Sequence, residues 1–379
     1  MRLESAAALL IAAVCGLVAC GASPPTAHKS PTPSASAPPT ITTSSTPTAG
    51  SGPPSLVHCT VSVPAGDNLV IGTVVGDPTV VVRDIQDPSN AKNLCTFDST
   101  AQAPQYVSSS TVAYETASNQ IIKADLASGS TSIIAMYAAG SGQYATSPDG
   151  SSFSYLDGAA WHLVGPSGNR VLSTLPPVPA RGTNPDQDDL YLSFSPDGRY
   201  LALFQTLRTG GTGETAQDQI RRASDGSLVY STSGMTMGVW ASVPSRLYFR
   251  DGTGNMRRWD PSTGVSSMTT LPWIRPRSSP DGRWIAYTFR SASGLGGVGF
   301  YSVQSNSVQN TSPPGRSGVV FLTNDLVWYI GEKACSTCFG GLPTPTGVTY
   351  IYSIAGASEI TSRLATVSDA WPKVTAPGL

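Results

Sequence analysis

The sequence predicts an all-β fold, a β-propeller of about seven four-stranded blades, and three observations carry that prediction. The tetrapeptide Ser-Pro-Asp-Gly occurs at 147–150, 195–198 and 279–282. Each copy is followed by an apolar run of strand character: Phe153 to Leu156, Tyr200 to Phe204 and Trp284 to Phe289. The 379 residues include 38 Gly and 31 Pro, a mixture that makes many turns and few long helices.

The tetrapeptide has a specific turn chemistry. Ser accepts at the first position, Pro fixes φ at the second, and Gly takes positive φ at the end. Each copy therefore reads as a tight turn between two strands. Weaker copies fill the gaps, at Pro64-Ala65-Gly66, Ser109-Ser110, Pro244-Ser245 and Asn324-Asp325, each ahead of another apolar run. Anchors at 66, 110, 150, 198, 245, 282 and 324 are spaced by 44, 40, 48, 47, 37 and 42 residues. A second turn recurs inside the units, at Ser128-Gly129, Asp225-Gly226 and Ser262-Thr263-Gly264. Two hairpin turns per repeat mean four strands, which is one propeller blade. An array of immunoglobulin-like sandwiches is the alternative, and no linker interrupts the repeat to support it.

The Ser-Pro-Asp-Gly copies resemble the repeats of TolB-like propellers, relatives of WD-type propellers, over most of residues 57 to 377. The resemblance implies a propeller that meets other proteins of the cell envelope, without identifying the partner. Closure of the ring is open at this level. Trp371 to Gly378 resembles Trp273 to Gly282, a run containing an innermost strand and its turn, so the C-terminus competes with residues 57 to 63 for the innermost strand of the first blade.

Ahead of the repeats the chain carries an export signal. Arg2 precedes an apolar run from Ala6 to Val14, too short to span a bilayer and of the length of a signal-peptide core. Leu17-Val18-Ala19-Cys20 resembles the lipobox of bacterial lipoproteins. In that family the chain is cut before the cysteine, whose sulfur receives a diacylglyceryl group, so Cys20 becomes the lipid attachment site. Two acyl chains suffice for stable attachment. Residues 21 to 55 are almost exclusively Pro, Ser, Thr, Ala and Gly, a composition that cannot bury enough apolar area to order. The expected organisation is a signal peptide at 1–19, lipidated Cys20 with a spacer to 55, and a propeller at 56–379. The expected location is the cell membrane, lipid-anchored on its extracytoplasmic face.

Cys59, Cys95, Cys335 and Cys338 remain for the folded part, and an exported, oxidising location makes disulfides their default. Cys335 with Cys338 closes a small loop. Cys59 with Cys95 works only if residues 57 to 63 lie beside the outermost strand of the first blade. If they were innermost, two intervening strands would hold the pair roughly 14 Å apart.

Loops joining second to third strands share a face with the loops between blades. The longest loops, 180–189, 207–218, 290–297 and 334–347, fall in those classes, and insertions on one face of a repeat array mark the binding face. There Asp186, Asp188 and Asp189 cluster, with Arg181 and Arg208 as companions. A Ca²⁺ site would need more oxygen ligands at defined spacing, so the cluster reads first as a solvated loop.

A net charge of −1 and 12% charged residues argue against nucleic acid. Three His, at 28, 58 and 162, leave little for His-based catalysis, and no Gly-x-Ser-x-Gly elbow is present. Gly294 to Gly299 matches a dinucleotide fingerprint by letter, between strands of one hairpin and with no helix after it. No catalytic residue, metal or cofactor is assigned. The expectation is a monomeric, membrane-tethered propeller that binds an envelope protein, peptide or glycan. The rival is an exported lyase or hydrolase acting on polysaccharide or peptide.

Overall fold

The structure is a computed structural model that describes residues 53–371, except for 65–67, 86–90, 139–142, 159, 175–189, 210–212, 217, 233–234, 242–244, 252, 269–272, 291–293 and 336–342. The strands form seven antiparallel sheets, five of them blades of four successive strands and two with a fifth strand added to the blade, and the fold is a seven-bladed β-propeller. Blades two to seven span 102–136, 144–174, 190–232, 236–267, 274–311 and 316–362.

Blade one draws on both ends of the chain. Its innermost strand is Leu364–Trp371, paired with Leu69–Val74, and Asp77–Asp84 and Lys92–Phe97 follow outward. The short strand Val57–Cys59 lies outside them against Lys92–Phe97. The C-terminus therefore closes the ring. The described part of the closing strand runs up to Trp371, and the rest of the Trp371–Gly378 run that resembles Trp273–Gly282 lies outside the described residues. The outer position of Val57–Cys59 is the one that permits a Cys59–Cys95 bridge. The two residues face each other in register and are disulfide-bonded.

All three Ser-Pro-Asp-Gly segments adopt one conformation between the first and second strands of their blades. The hydroxyls of Ser147, Ser195 and Ser279 donate to Asp149, Asp197 and Asp281 at 2.6, 2.6 and 2.7 Å. The same hydroxyls accept from the main-chain N–H of Ser152, Tyr200 and Trp284 at 2.9, 2.9 and 3.0 Å. Gly150, Gly198 and Gly282 stand at φ of 67°, 68° and 65°, where a Cβ is disfavoured. The serines are buried, so these bonds replace water that cannot reach them. The second turns, at Gly129, Gly226 and Gly264, also take positive φ, between third and fourth strands.

Sheets are buried on both faces because the neighbouring blades cover them. Among the described residues, seven hydrophobic clusters each join two adjacent blades. Between blades five and six, fully buried Trp273 lies 5.4 Å from the ring of Tyr287 and 5.6 Å from that of Tyr301. Between blades three and four, buried Trp161 donates to Ser154 at 2.7 Å. The recurrent aromatics are core, each contributing a large apolar area with its polar atom directed to a partner where one is in reach. The glycine run at 294–299 has a packing reason. Gly297 and Gly299 lie opposite Phe289 and Tyr287, whose rings would stand 2.5 Å from a Cβ at either position.

Candidate binding faces

The direction of the strands gives the ring two unlike faces. Turns between first and second strands, and between third and fourth, emerge on one. Loops between second and third strands, and between blades, emerge on the other.

Of the residues expected on the loop face, Arg181, Asp186, Asp188 and Asp189 lie outside the described residues, as do Cys20 and Cys338. Cys335 is described and is disulfide-bonded. Arg208 lies in a strand and not in a loop. The strand Tyr200–Thr209 runs on past its blade and pairs with Gly213–Ala216, setting Arg208 opposite Glu214. Most of the expected 207–218 loop is thus a projecting hairpin. The expected loops at 290–297 and 334–347 shorten for the same reason, because pairing continues to Arg290↔Gly296 and Lys333↔Thr344. A β-branched residue at every second position, Thr344, Thr346 and Val348, is the sequence signal for that extension.

Where first strands start on the loop face, an irregularity recurs. Pairing slips between Gln102 and Gln105, Thr236 and Val239, Ile274 and Arg277, and Ser317 and Val320. Ala103, Arg275 and Gly318 sit in these bulges with φ of 45°, 48° and 65°. A bulge re-aims side chains at a strand end and is common near functional surfaces. In blade six it leaves Arg275 and Arg277 exposed on the innermost strand. Arg277 donates to its neighbour, the Pro276 carbonyl, at 3.0 Å. Arg290, at the end of the adjacent strand, is also exposed and donates to the Gly294 carbonyl at 3.3 Å. Other arginines are neutralised: Arg257 by Asp251 at 2.7 Å, and Arg316 by Glu359 at 2.6 Å.

Across the ring, in blade two, the second strand ends in Glu115, which is 3% exposed. One carboxylate oxygen accepts from Tyr137 Oη at 2.9 Å, and the other is buried without a partner. Burial pushes this carboxyl above the usual carboxylate range, against the opposing hydrogen bond from Tyr137. In blade three Asp157 accepts from the Ala138 N–H at 2.9 Å. Blade six thus carries exposed basic side chains on this face, whereas the carboxylates of Glu115 and Asp157 are engaged within blades two and three. Among the described residues no three His, Cys, Asp or Glu side chains converge as metal ligands do.

The turn face carries a recess of its own, a cavity of about 410 Å³ between blades three and four, bordered by Arg170, Arg199 and Arg222.

Solved structures of the same architecture are numerous. The chain is similar to TolB from Acinetobacter baumannii, at 18% identity over 67% of this chain and 65% of that one, with a TM-score of 0.41. It is similar to an oligogalacturonate lyase from Vibrio parahaemolyticus, at 10% identity over 79% and 86% of the two chains, with a TM-score of 0.51. A prolyl endopeptidase is matched at 14% identity and a TM-score of 0.51, over 81% of this chain and 49% of that one. The chain thus spans just under two thirds of the TolB chain and about half of the endopeptidase. No family model and no curated protein matches it. The likenesses to the lyase and the endopeptidase show the fold, a β-propeller.

Proposed function

We propose that this chain is an exported lipoprotein, held to the extracytoplasmic face of the cell membrane through Cys20, whose TolB-like propeller binds an acidic protein, peptide or glycan of the cell envelope. The observation that carries the binding reading is the pair Arg275 and Arg277. They stand exposed on the innermost strand of blade six, on the loop face, with no acidic side chain among the described residues bonded to either. Guanidinium groups present planar donors suited to carboxylates, so the partner complementary to this rim carries Asp, Glu or uronate groups. The Cys59–Cys95 bridge supports export, because such bonds persist in oxidising compartments. Lipidation at Cys20 rests on the lipobox-like Leu17 to Cys20, and the Pro-rich spacer supplies the reach between anchor and head.

Capture from solubilised membranes tests the reading. Wild-type chain should retain a partner that Arg275→Glu/Arg277→Glu releases, with unfolding midpoints unchanged. Identical capture by both would overturn it. Turnover of a polysaccharide or peptide by the purified chain would replace it with the reading of an exported lyase or hydrolase. Cys20→Ser should move the chain out of the membrane fraction, and unchanged membrane association would remove the tether from the account.

A further inference from the structure

The geometry points to a second binding site, on the turn face between blades three and four, that takes a phosphate-bearing ligand. Three arginines from three different turns and strands meet at one recess of about 410 Å³, larger than a bare phosphate needs. Arg170 comes from the outermost strand of blade three, Arg199 follows the Ser-Pro-Asp-Gly turn of blade four, and Arg222 ends the third strand of that blade.

Arg170 and Arg222 are positioned by hydroxyls, and Arg222 also lies near enough to Asp225 to favour its charged form. Arg170 donates to Ser167 Oγ at 2.5 Å, and its stem runs beside Gly226, where a Cβ would stand 3.8 Å from its Cδ and 2.5 Å from Leu172. Arg222 donates to Ser227 Oγ at 3.3 Å. Arg199 uses its main-chain N–H on Asp197, and among the described residues its guanidinium has no polar contact. The equivalent residue in blade six behaves differently: Arg283 folds back onto Asp281 at 3.6 Å. In blade three the equivalent position is Ser151. Charge is therefore concentrated at one of the three matching turns.

Asp197 is the single acidic group lining the recess, and its carboxylate is engaged by Ser195 Oγ at 2.6 Å and the Arg199 N–H at 3.1 Å. Asp225, beside the recess, accepts from Ser227 at 2.7 Å. Three arginines against Asp197 leave a lining charge of +2, which Asp225 beside Arg222 offsets in part, so the recess stays net positive and complements an anionic phosphate ester. Guanidinium groups bind phosphate oxygens through paired N–H donors, and among the described residues most of the donors here have no partner. Ser167 and Ser224 add hydroxyls at the rim, and Leu163 and Tyr200 provide an apolar wall for the organic part of the ligand. The recess and the loop face are on opposite sides of the ring, so this site stands independently of the envelope partner proposed above.

Calorimetric titration of the detergent-solubilised full chain tests it, with two probes. Glycerol 3-phosphate stands for a soluble phosphate ester, and monomeric dihexanoyl phosphatidylglycerol stands for a lipid headgroup. Saturable one-to-one binding of at least one probe is expected, weakened tenfold or more in Arg199→Gln/Arg222→Gln and unchanged in Arg275→Gln/Arg277→Gln. Tighter binding of the first probe assigns the site to a soluble ester, and tighter binding of the second assigns it to a headgroup. The unfolding midpoint of the double variant, measured in parallel, should match the parent because both side chains are exposed. Absence of saturable binding with either probe, or equal affinity in Arg199→Gln/Arg222→Gln, would overturn the site.

Discussion

Asp369, on the last strand of the chain, accepts a hydrogen bond from the main-chain N–H of Tyr106, on the first strand of blade two, at 2.5 Å. The contact joins residues 263 positions apart and fastens the closing strand to the next blade. Tyr106 is fully buried, so without the carboxylate its N–H would lose a partner that water cannot readily replace. Asp369→Ala should destabilise the ring by about 1–3 kcal/mol, the cost of an unsatisfied buried donor. Urea unfolding monitored by tryptophan fluorescence measures it, and an unchanged midpoint would show that the contact carries no stability.

The three matched turns predict unequal responses to one substitution. A Cβ at Gly198 would meet only Pro148 Cδ, at 3.7 Å, whereas one at Gly150 would stand 2.6 Å from Val107 Cγ1. Both positions have positive φ, so Ala at either costs about 1 kcal/mol in backbone strain. Gly150→Ala adds a steric conflict with the neighbouring blade and should cost about 1–3 kcal/mol more. Thermal unfolding of the two variants should rank them in that order, and equal midpoints would contradict the packing described.

Much of this was readable beforehand. The turn anchors at 110, 150, 198, 245, 282 and 324 all fall between first and second strands, and the anchor at 66 lies outside the described residues; at 150, 198 and 282 Pro and Gly state their φ requirements in their identity. The role of Asp was not readable, since its use as acceptor for the preceding Ser hydroxyl depends on the turn being already formed. Ring closure was only half readable. Leu364–Trp371 carries no turn motif, and its position is set by pairing with residues almost 300 positions away. The bulges at Ala103 and Arg275 are invisible in sequence because neither residue advertises positive φ. The turn-face recess was missed because Arg170, Arg199 and Arg222 become neighbours only when blades three and four pack together.

The Cys59–Cys95 bridge closes a loop across 36 positions and pins the N-terminal strand to blade one. A loop of that length constrains the unfolded chain by about 3–4 kcal/mol on the chain-entropy account. Reduction, or Cys59→Ser/Cys95→Ser, should lower the unfolding midpoint by an amount up to that value. It should also expose Val57 and Phe97 to hydrogen exchange in the surrounding segment. Equal midpoints with and without reductant would show that the strand contributes nothing to the ring.

Glu115 predicts a pH dependence of known sign. Its folded carboxyl titrates above its unfolded value because burial disfavours the charge. The fold therefore binds this proton more tightly than the unfolded chain. The resulting stability is fully present below the ordinary Glu range and is lost as pH rises through the raised folded value. Glu115→Gln removes the charge and keeps an acceptor for Tyr137. Its midpoint should exceed the parent's at neutral pH, and the advantage should vanish as the pH falls below about 4. A variant less stable than the parent at neutral pH would show that the ionised carboxylate is needed.

The seven-bladed ring closed by its own last strand is most directly tested where the two ends of the chain meet. Thr73 and Thr366 lie opposite each other on adjacent strands of blade one, their hydroxyl oxygens 2.9 Å apart and their positions 293 residues apart. Both are solvent-accessible, so Thr73→Cys/Thr366→Cys places two thiols within bonding reach without disturbing the core. Peptide mapping after mild oxidation should recover residues 73 and 366 as one cross-linked species from the folded chain and not from chain oxidised in urea. Recovery of both as free thiols from the folded chain would mean that Leu364–Trp371 is not the inner strand of the first blade.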